Sequence, residues 1–291
     1  MTDVSFLRRT AERLERTWLR RWYRARRVVA RRLDLRLDMS QGQGLVKATA
    51  DLSFVPSVAG ATMSFIIGDV KIQSVHWGDK QVKARVNSPY LVLSFPLQLP
   101  KDKEQRITLR YSYFPDEQWT IHQPVTPVDC PMRIWITCRR PFLGLTQGKL
   151  VEGTESPPLR IYQWEPPRCR RLSGLAGNVK SFKKDTASGM AMWLHIQADE
   201  TDLAPAILAL CVQLYEESAD SHHSKLPYAD YHVFECDDPR MKPFNSPGLV
   251  VVPRGTFRKD DRPLVYGILA PEFNKEWRRD RSTMVYEGRK D

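Results

Sequence analysis

The sequence predicts a β domain followed by an α/β segment, with a basic helix in front of both. Between residues 33 and 200, short β-branched and aromatic runs alternate with turn residues, which is typical of an antiparallel, sandwich-like β domain. After residue 200, helical and strand-like segments alternate, which is typical of an α/β unit. Before residue 33, arginine dominates. We therefore expect a basic amphipathic helix over 1–32, the β domain over 33–200 and a shortened α/β segment over 201–291.

The basic helix holds most of the net charge. Residues 1–32 contain eleven arginines and three acidic residues, so they carry +8 of the net +11 of the 291-residue chain. Leu7, Leu14 and Trp18 share one helix face, which can dock on an anionic membrane surface or a protein partner, or pack on its own domain. The rest of the chain is only weakly basic, which disfavours nucleic acid. The side chains expected to contact the membrane or partner are Arg9, Arg13, Arg16, Trp18, Arg20, Trp22 and Arg24.

The spacing of apolar residues changes to a period of two at Leu33. Leu33, Leu35 and Leu37 alternate with charged residues, a glycine-containing turn follows at 42–44, and a second alternating run ends at Phe54. Further short runs, each bounded by turn residues, are predicted as strands. They are MSFIIGDVKIQSVHW, LVLSFPLQL, RITLRYSYF, MRIWITC, LRIYQW and MAMWLHIQA.

The C-terminal segment is predicted as helix, strand, strand and helix. The stretch LAPAILALCVQLYEES has apolar residues at helical spacing, and Pro205 falls in its first turn, where a missing N–H is tolerated. YADYHVFEC and PGLVVVP are strand-like. RPLVYGILAPEFNKEWRRD is predicted as the second helix.

Several stretches, taken in this order, resemble the aminopeptidase-N family of zinc peptidases, the gluzincins. RRLDLRLDMSQGQGLVKATADLSF resembles the opening strand pair of that family, and LTQGKLVE followed by IYQWEPPRCRRLSGLAGNVKSF resembles a later part of its β domain. FNSPGLVVVP is similar to the substrate-binding edge strand, and ILAPEFNKEW falls where the zinc helix belongs. The resemblance covers residues 31–280 and implies a β domain joined to a shortened, peptidase-like α/β remnant.

The zinc motif is degenerate at the positions that the resemblance identifies. The family pattern H-E-x-x-H places two zinc-binding histidines on one helix face, with a glutamate general base between them. Here Pro271 and Lys275 stand at the two histidine positions of the motif, and Glu272 stands at the glutamate position. Neither proline nor a lysine ammonium binds zinc. The third ligand would fall beyond Asp291, and Asn245 replaces the glutamate that holds a substrate amine. The resemblance therefore implies a truncated relative without peptidase activity, metal or cofactor.

The other reactive residues form no recognisable catalytic or metal motif. Five cysteines lie at irregular spacings without a C-x-x-C pair, which is typical of reduced, buried thiols. His195 is predicted as an ordinary strand residue, and His232 and Cys236 are too far apart on a strand to share one zinc ion. No serine or cysteine has a base next to it in a known motif. An ordinary helix with a proline in its first turn is a second interpretation of ILAPEFNKEW.

These patterns together predict a non-catalytic, aminopeptidase-like subunit that binds or scaffolds a protein partner. Its expected location is the cytoplasm, peripheral at a membrane if the basic helix binds lipid. The alternative is one part of a split zinc aminopeptidase whose metal ligands come from another chain. The residues expected to bind the peptide or partner are Asn245, Ser246, Pro247, Gly248 and Leu249.

Overall fold

The structure is a computed structural model that describes the chain from residue 28 to residue 278 with short gaps. The seven side chains expected on the basic helix, from Arg9 to Arg24, lie outside the described residues. The first strand, β1 (Val28–Asp38), includes residues that were predicted as the end of that helix, because two adjacent β-branched valines favour an extended backbone. The described residues are 28–40, 44–87, 90–117, 119–121, 130–166, 172–199, 201–224, 226, 228–257 and 262–278.

The described chain is mostly β, with several sheets and two α-helices. Helix α1 (Ala204–Ser221) follows a short 3-10 turn (Thr201–Leu203), and helix α2 (Arg262–Arg278) is the last element. The strands after β1 are β2 (Val46–Pro56), β3 (Gly60–Ile66), β4 (Lys71–Trp77), β5 (Lys80–Gln81), β6 (Lys83–Asn87), β7 (Tyr90–Leu99), β8 (Gln105–Tyr113), β9 (Met132–Arg139), β10 (Leu143–Thr146), β11 (Lys149–Ser156), β12 (Leu159–Glu165), β13 (Gly174–Gly177), β14 (Val179–Asp185), β15 (Ala191–Gln197), β16 (Asp230–Glu235), β17 (Phe244–Ser246) and β18 (Leu249–Val252).

Both helices occur where the sequence predicts them. Pro205 lies in the first turn of α1, as expected from its missing N–H. Neither helix in the described part of the chain is long and apolar enough to cross a membrane. The four cysteines among the described residues are buried, as predicted, and none of them forms a disulfide: Cys130, Cys138, Cys211 and Cys236.

One compact unit comprises residues 28–34, 49–113 and 130–131 of the described chain. Its ladders are antiparallel, because β7 pairs with β3 and β6, and β4 pairs with β5 and β8. Phe54, Phe65 and Phe95 form an aromatic core, in which the rings of Phe54 and Phe65 meet edge to face with centroids 5.4 Å apart. The β-rich fold predicted for this part of the chain is confirmed.

The second compact unit comprises residues 35–48, 114–121 and 132–278 of the described chain. It contains the antiparallel ladder β9-β12-β11, the pair β10-β13 and a five-stranded sheet in the order β14-β15-β16-β18-β17. In this sheet β15, β16 and β18 are parallel, and the two outer strands are antiparallel to their neighbours. The parallel pair β15-β16 needs a crossover, which α1 supplies. The sheet therefore includes β14 and β15, which the sequence analysis assigned to the β domain.

The two faces of the five-stranded sheet have different surroundings. Met192, Leu194 and Ile196 of β15 belong to a buried apolar cluster with residues of α1 and α2. Side chains alternate along a strand, so His195 points to the opposite face. There it meets His232 of the neighbouring strand β16. The alternation therefore separates an apolar helix-packed face from a face that contains buried polar groups.

Candidate functional site

Helix α2 carries the three degenerate zinc-motif positions. Pro271 lies inside the helix, not in its first turn as the second interpretation of this stretch predicted. Glu272 is only 5% exposed, and the Nζ atom of Lys275 lies 2.5 Å from its Oε1 atom. Residues three apart on a helix share one face, which brings the two charges together. The glutamate at the general-base position is therefore held in an ion pair by the lysine at the second ligand position.

The edge strand β17 contacts α2 through Asn245. The Nδ2 atom of Asn245 donates a hydrogen bond of 2.7 Å to the backbone carbonyl of Glu272. The next residue, Ser246, has its hydroxyl 2.8 Å from the hydroxyl of Ser173. The structure thus brings Asn245 of the predicted binding strand beside Glu272 of the predicted helix.

Residues 247 and 248 form the two-residue turn between β17 and β18. Gly248 has φ +76°, a left-handed conformation that glycine adopts without steric cost. All five residues predicted to bind a partner, from Asn245 to Leu249, are buried within the protein's own structure. Asn245 and Ser246 hold β17 in place through their hydrogen bonds, and the exposed residues on the adjoining part of α2 are Pro271 and Lys275.

Polar groups that the sequence analysis missed extend this site. The amide oxygen of Gln147 accepts hydrogen bonds from the backbone N–H of Ser173 at 2.9 Å and from the hydroxyl of Thr146 at 3.0 Å. The chain Gln147–Ser173–Ser246 therefore ends on β17. Gln147 lies in LTQGKLVE, a stretch that the sequence analysis used only for the family resemblance. The signal that could have identified this residue is a glutamine at an otherwise apolar strand end.

Two buried polar atoms of this site have no hydrogen-bond partner among the described residues. They are the Nε2 atom of Gln147 and the Oε2 atom of Glu272. A buried donor or acceptor without a partner costs about 1–3 kcal/mol, and a charged group costs more. The site therefore offers one N–H donor and one carboxylate oxygen to a ligand that could reach them.

A second cluster of polar side chains lies on the face of the five-stranded sheet opposite the helices. The Ser181 hydroxyl is 2.8 Å from Nδ1 of His195, and Nε2 of His195 is 3.0 Å from Nδ1 of His232. Nε2 of His232 is in turn 2.8 Å from the carbonyl oxygen of Gly148. These contacts form a continuous hydrogen-bonded chain across β14, β15, β16 and the turn after β10.

Burial lowers the pKa values of both imidazoles in this chain. The pKa of His232 falls to about 4, chiefly because burial penalises the charged ring, although the Gly148 carbonyl and Asp230 oppose the change. The pKa of His195 is well below its usual value, because of burial and then because of the neighbouring His232. Both rings are therefore neutral at pH 7. In the described part of the chain, no group of three or more His, Cys, Asp or Glu could hold a metal ion.

Comparisons with known proteins add no relative to these observations. No family model matches the chain, and the search of curated proteins finds no significant match. The resemblance to the aminopeptidase-N family therefore rests on the order and spacing of the motifs, and a function argued from it is a proposal.

Proposed function

We propose that the protein is a relative of the zinc aminopeptidases that is non-catalytic as a peptidase and binds a protein partner through the site at Glu272. The observation that carries this proposal is the state of the Glu272 carboxylate. One oxygen is held by Lys275, and the other is buried without a partner among the described residues. The first contact opposes peptidase chemistry, and the second favours a ligand that donates a hydrogen bond.

The contact with Lys275 opposes peptidase chemistry because it places a cation where the family has a zinc ligand. Zinc peptidases rely on the ion to polarise the peptide carbonyl and to generate hydroxide at neutral pH. Zinc is bound by cysteine, histidine and carboxylate side chains, whereas Pro271 offers none of these groups. The ammonium of Lys275 lies 2.5 Å from the carboxylate of Glu272 and would also repel a metal ion bound there. The carboxylate therefore stabilises a lysine and is not available to activate water.

The buried Oε2 atom of Glu272 favours binding because a partner can satisfy it. A peptide N–H or an amino terminus would donate to this oxygen, and a hydrogen bond to a charged group contributes about 1.5–3 kcal/mol. A peptide backbone carries an N–H donor in every residue except proline, so it can supply this hydrogen bond.

The surface around the motif can accommodate a protein partner. Pro271 is exposed, and the side chain of Lys275 is 55% exposed, so both are reachable from solvent. Earlier on the same helix, Leu264 and Tyr266 are 40% and 42% exposed. Exposed apolar and aromatic groups next to a polar site are typical of a partner surface. We further infer from the sequence alone that the basic helix docks the protein in the cytoplasm, on a membrane or on the partner.

The absence of peptidase chemistry is tested on the purified full chain. Metal content is measured by elemental analysis, and aminopeptidase activity is assayed on the same sample after zinc is added. We expect no stoichiometric zinc and no turnover. The matched variant is Pro271→His with Lys275→His, which restores two of the ligand types and reports whether the site can take up zinc at all. Stoichiometric zinc with turnover in the natural chain would overturn the non-catalytic proposal.

Binding is tested with a panel of peptides that carry a fluorophore at the C-terminus, each made with a free and with an acetylated amino terminus. We expect saturable binding by fluorescence anisotropy, weakened about tenfold to a hundredfold by Glu272→Gln, because a charge-assisted hydrogen bond is lost. Lys275→Gln should strengthen the binding of free amino termini, because it removes the competing cation. If no peptide binds, or if Glu272→Gln and the unchanged protein bind equally, the Glu272 site is not the partner site.

A further inference from the structure

The hydrogen-bonded chain from Ser181 to Gly148 has a single direction at neutral pH. The Gly148 carbonyl can only accept, so Nε2 of His232 must carry a proton and donate it. A neutral imidazole has one N–H, so Nδ1 of His232 accepts from Nε2 of His195. For the same reason Nδ1 of His195 is unprotonated and accepts from the Ser181 hydroxyl. The serine therefore points its proton at a base that is itself held by a second imidazole.

This arrangement has the three parts of an activated nucleophile: a hydroxyl, a base within 2.8 Å and a group that orients the base at 3.0 Å. His195 and His232 are each only 2% exposed, whereas Ser181 is exposed. The base and its orienting group are therefore fixed by packing, and the hydroxyl is open to a substrate. We propose that Ser181 is a nucleophile that accepts acyl groups from small, activated esters, with His195 as the general base and His232 as a positioning residue.

The side chains around Ser181 suggest how such an ester would sit. The ring of Trp193 is half-buried, is stacked parallel to His195 with centroids 6.3 Å apart and is held by a hydrogen bond of 2.8 Å from Nε1 to Asp230. The Nζ atom of Lys183 lies 5.8 Å from the centre of that ring. An aromatic leaving group or acyl group can pack on Trp193, and the Lys183 ammonium can stabilise negative charge that develops nearby.

The backbone of β14 supplies further donors, because this strand is the outermost one of the five-stranded sheet. Every second N–H group of such a strand points away from its neighbour. Because these groups alternate, at least one of them lies within one residue of Ser181 along the chain and can donate to an oxyanion. The site thus combines an exposed nucleophile with donors on the solvent side.

The proposed reaction proceeds in two balanced steps. Oγ of Ser181 forms a bond to the acyl carbon while its proton moves to Nδ1 of His195, and the leaving-group oxygen then departs with that proton. A water molecule next attacks the acyl-serine, gives its proton to Nδ1 of His195 and releases the carboxylic acid, after which the proton returns to Oγ. No other reactant is required.

The low basicity of His195 limits the substrates to activated esters. An imidazole whose pKa is lowered by burial abstracts a proton weakly, but it also returns that proton readily to a leaving group. Because the pKa of His195 is lowered, acylation should persist to a lower pH than it does for a base with an ordinary histidine pKa. Phenyl esters with acidic phenols, such as p-nitrophenyl acetate, fit these limits, whereas peptide bonds do not.

The test uses the full chain with p-nitrophenyl acetate and, separately, with a fluorophosphonate that marks activated serines by displacement of fluoride. We expect a single adduct by intact mass, mapped to Ser181 by peptide mass spectrometry. Ser181→Ala should reduce hydrolysis to the buffer rate, and His195→Gln should slow the reaction about 10²–10⁴-fold. His232→Gln should slow it about tenfold and move the acid limb of the pH profile. Ser188→Ala, at another hydroxyl in the same unit, should leave the rate unchanged.

Three results would overturn the proposal: no adduct on the natural chain, an adduct at another residue, or equal labelling rates in His195→Gln and the natural chain. If His195→Gln does not fold, the mapped adduct and the Ser181→Ala rate decide the outcome, because an exposed serine can be changed without disturbing the core. Loss of peptide binding at Glu272 has no bearing on these readouts, so the two proposals fail independently.

Discussion

Acid should destabilise the fold through the buried histidine pair. An unfolded chain binds a proton on each histidine near pH 6.5, whereas His232 in the folded protein binds one only near pH 4. Its contribution to stability is therefore fully present above pH 6.5 and is lost as the pH falls from 6.5 towards 4. The gap between these pKa values corresponds to about 3 kcal/mol for His232. The depressed pKa of His195 acts in the same direction.

The measurement is the free energy of unfolding in urea at a series of pH values between 8 and 4, followed by tryptophan fluorescence. Because carboxylates also titrate in this range, the informative quantity is the difference between the natural chain and His232→Gln. We expect the variant to be less stable at pH 7 and to lose about 3 kcal/mol less on going to pH 4. Parallel curves for His232→Gln and the natural chain would refute the argument.

Three further substitutions test the local packing. Gly148→Ala should prevent or severely weaken folding, because Gly148 has φ +94° and a Cβ there would meet the backbone of Glu165. The measurement is the rate of proteolysis, which should rise in the variant; an unchanged rate would contradict the prediction. Asn245→Leu should cost about 1–3 kcal/mol, because the Glu272 carbonyl loses its donor, and an unchanged thermal midpoint would contradict this. Leu194→Ala should cost about 2–5 kcal/mol in chemical unfolding, because Leu194 is fully buried; a loss below 1 kcal/mol would show that the cluster repacks.

The local elements of the fold could be predicted from the sequence because they depend on neighbouring residues. Leu33, Leu35 and Leu37 alternate with charged residues and are buried as a period of two predicts. Pro205 marked the first turn of α1 correctly. The extension of β1 back to Val28 was missed because the arginines around it fitted a helical pattern equally well.

The polar clusters could not be predicted because they depend on how distant strands pair. His195 and His232 are adjacent only because β15 and β16 run parallel with Trp193 opposite His232. Ser181 reaches His195 because these two residues are opposite each other in the antiparallel pair β14-β15. Neither register is written in the spacing of residues along the chain. The sequence alone identified Asn245 and Glu272 as candidate site residues, but it did not predict the hydrogen bond between them.

The hydrogen-bonded chain from Ser181 to Gly148 has only one other order of donors and acceptors. A proton added to either imidazole leaves two N–H groups on that ring, so the Ser181 hydroxyl must rotate and accept where it formerly donated. The interior end is anchored, since the Gly148 carbonyl accepts in both cases. A charge deep between the strands would thus be reported at the surface by the orientation of one hydroxyl, without any movement of the backbone.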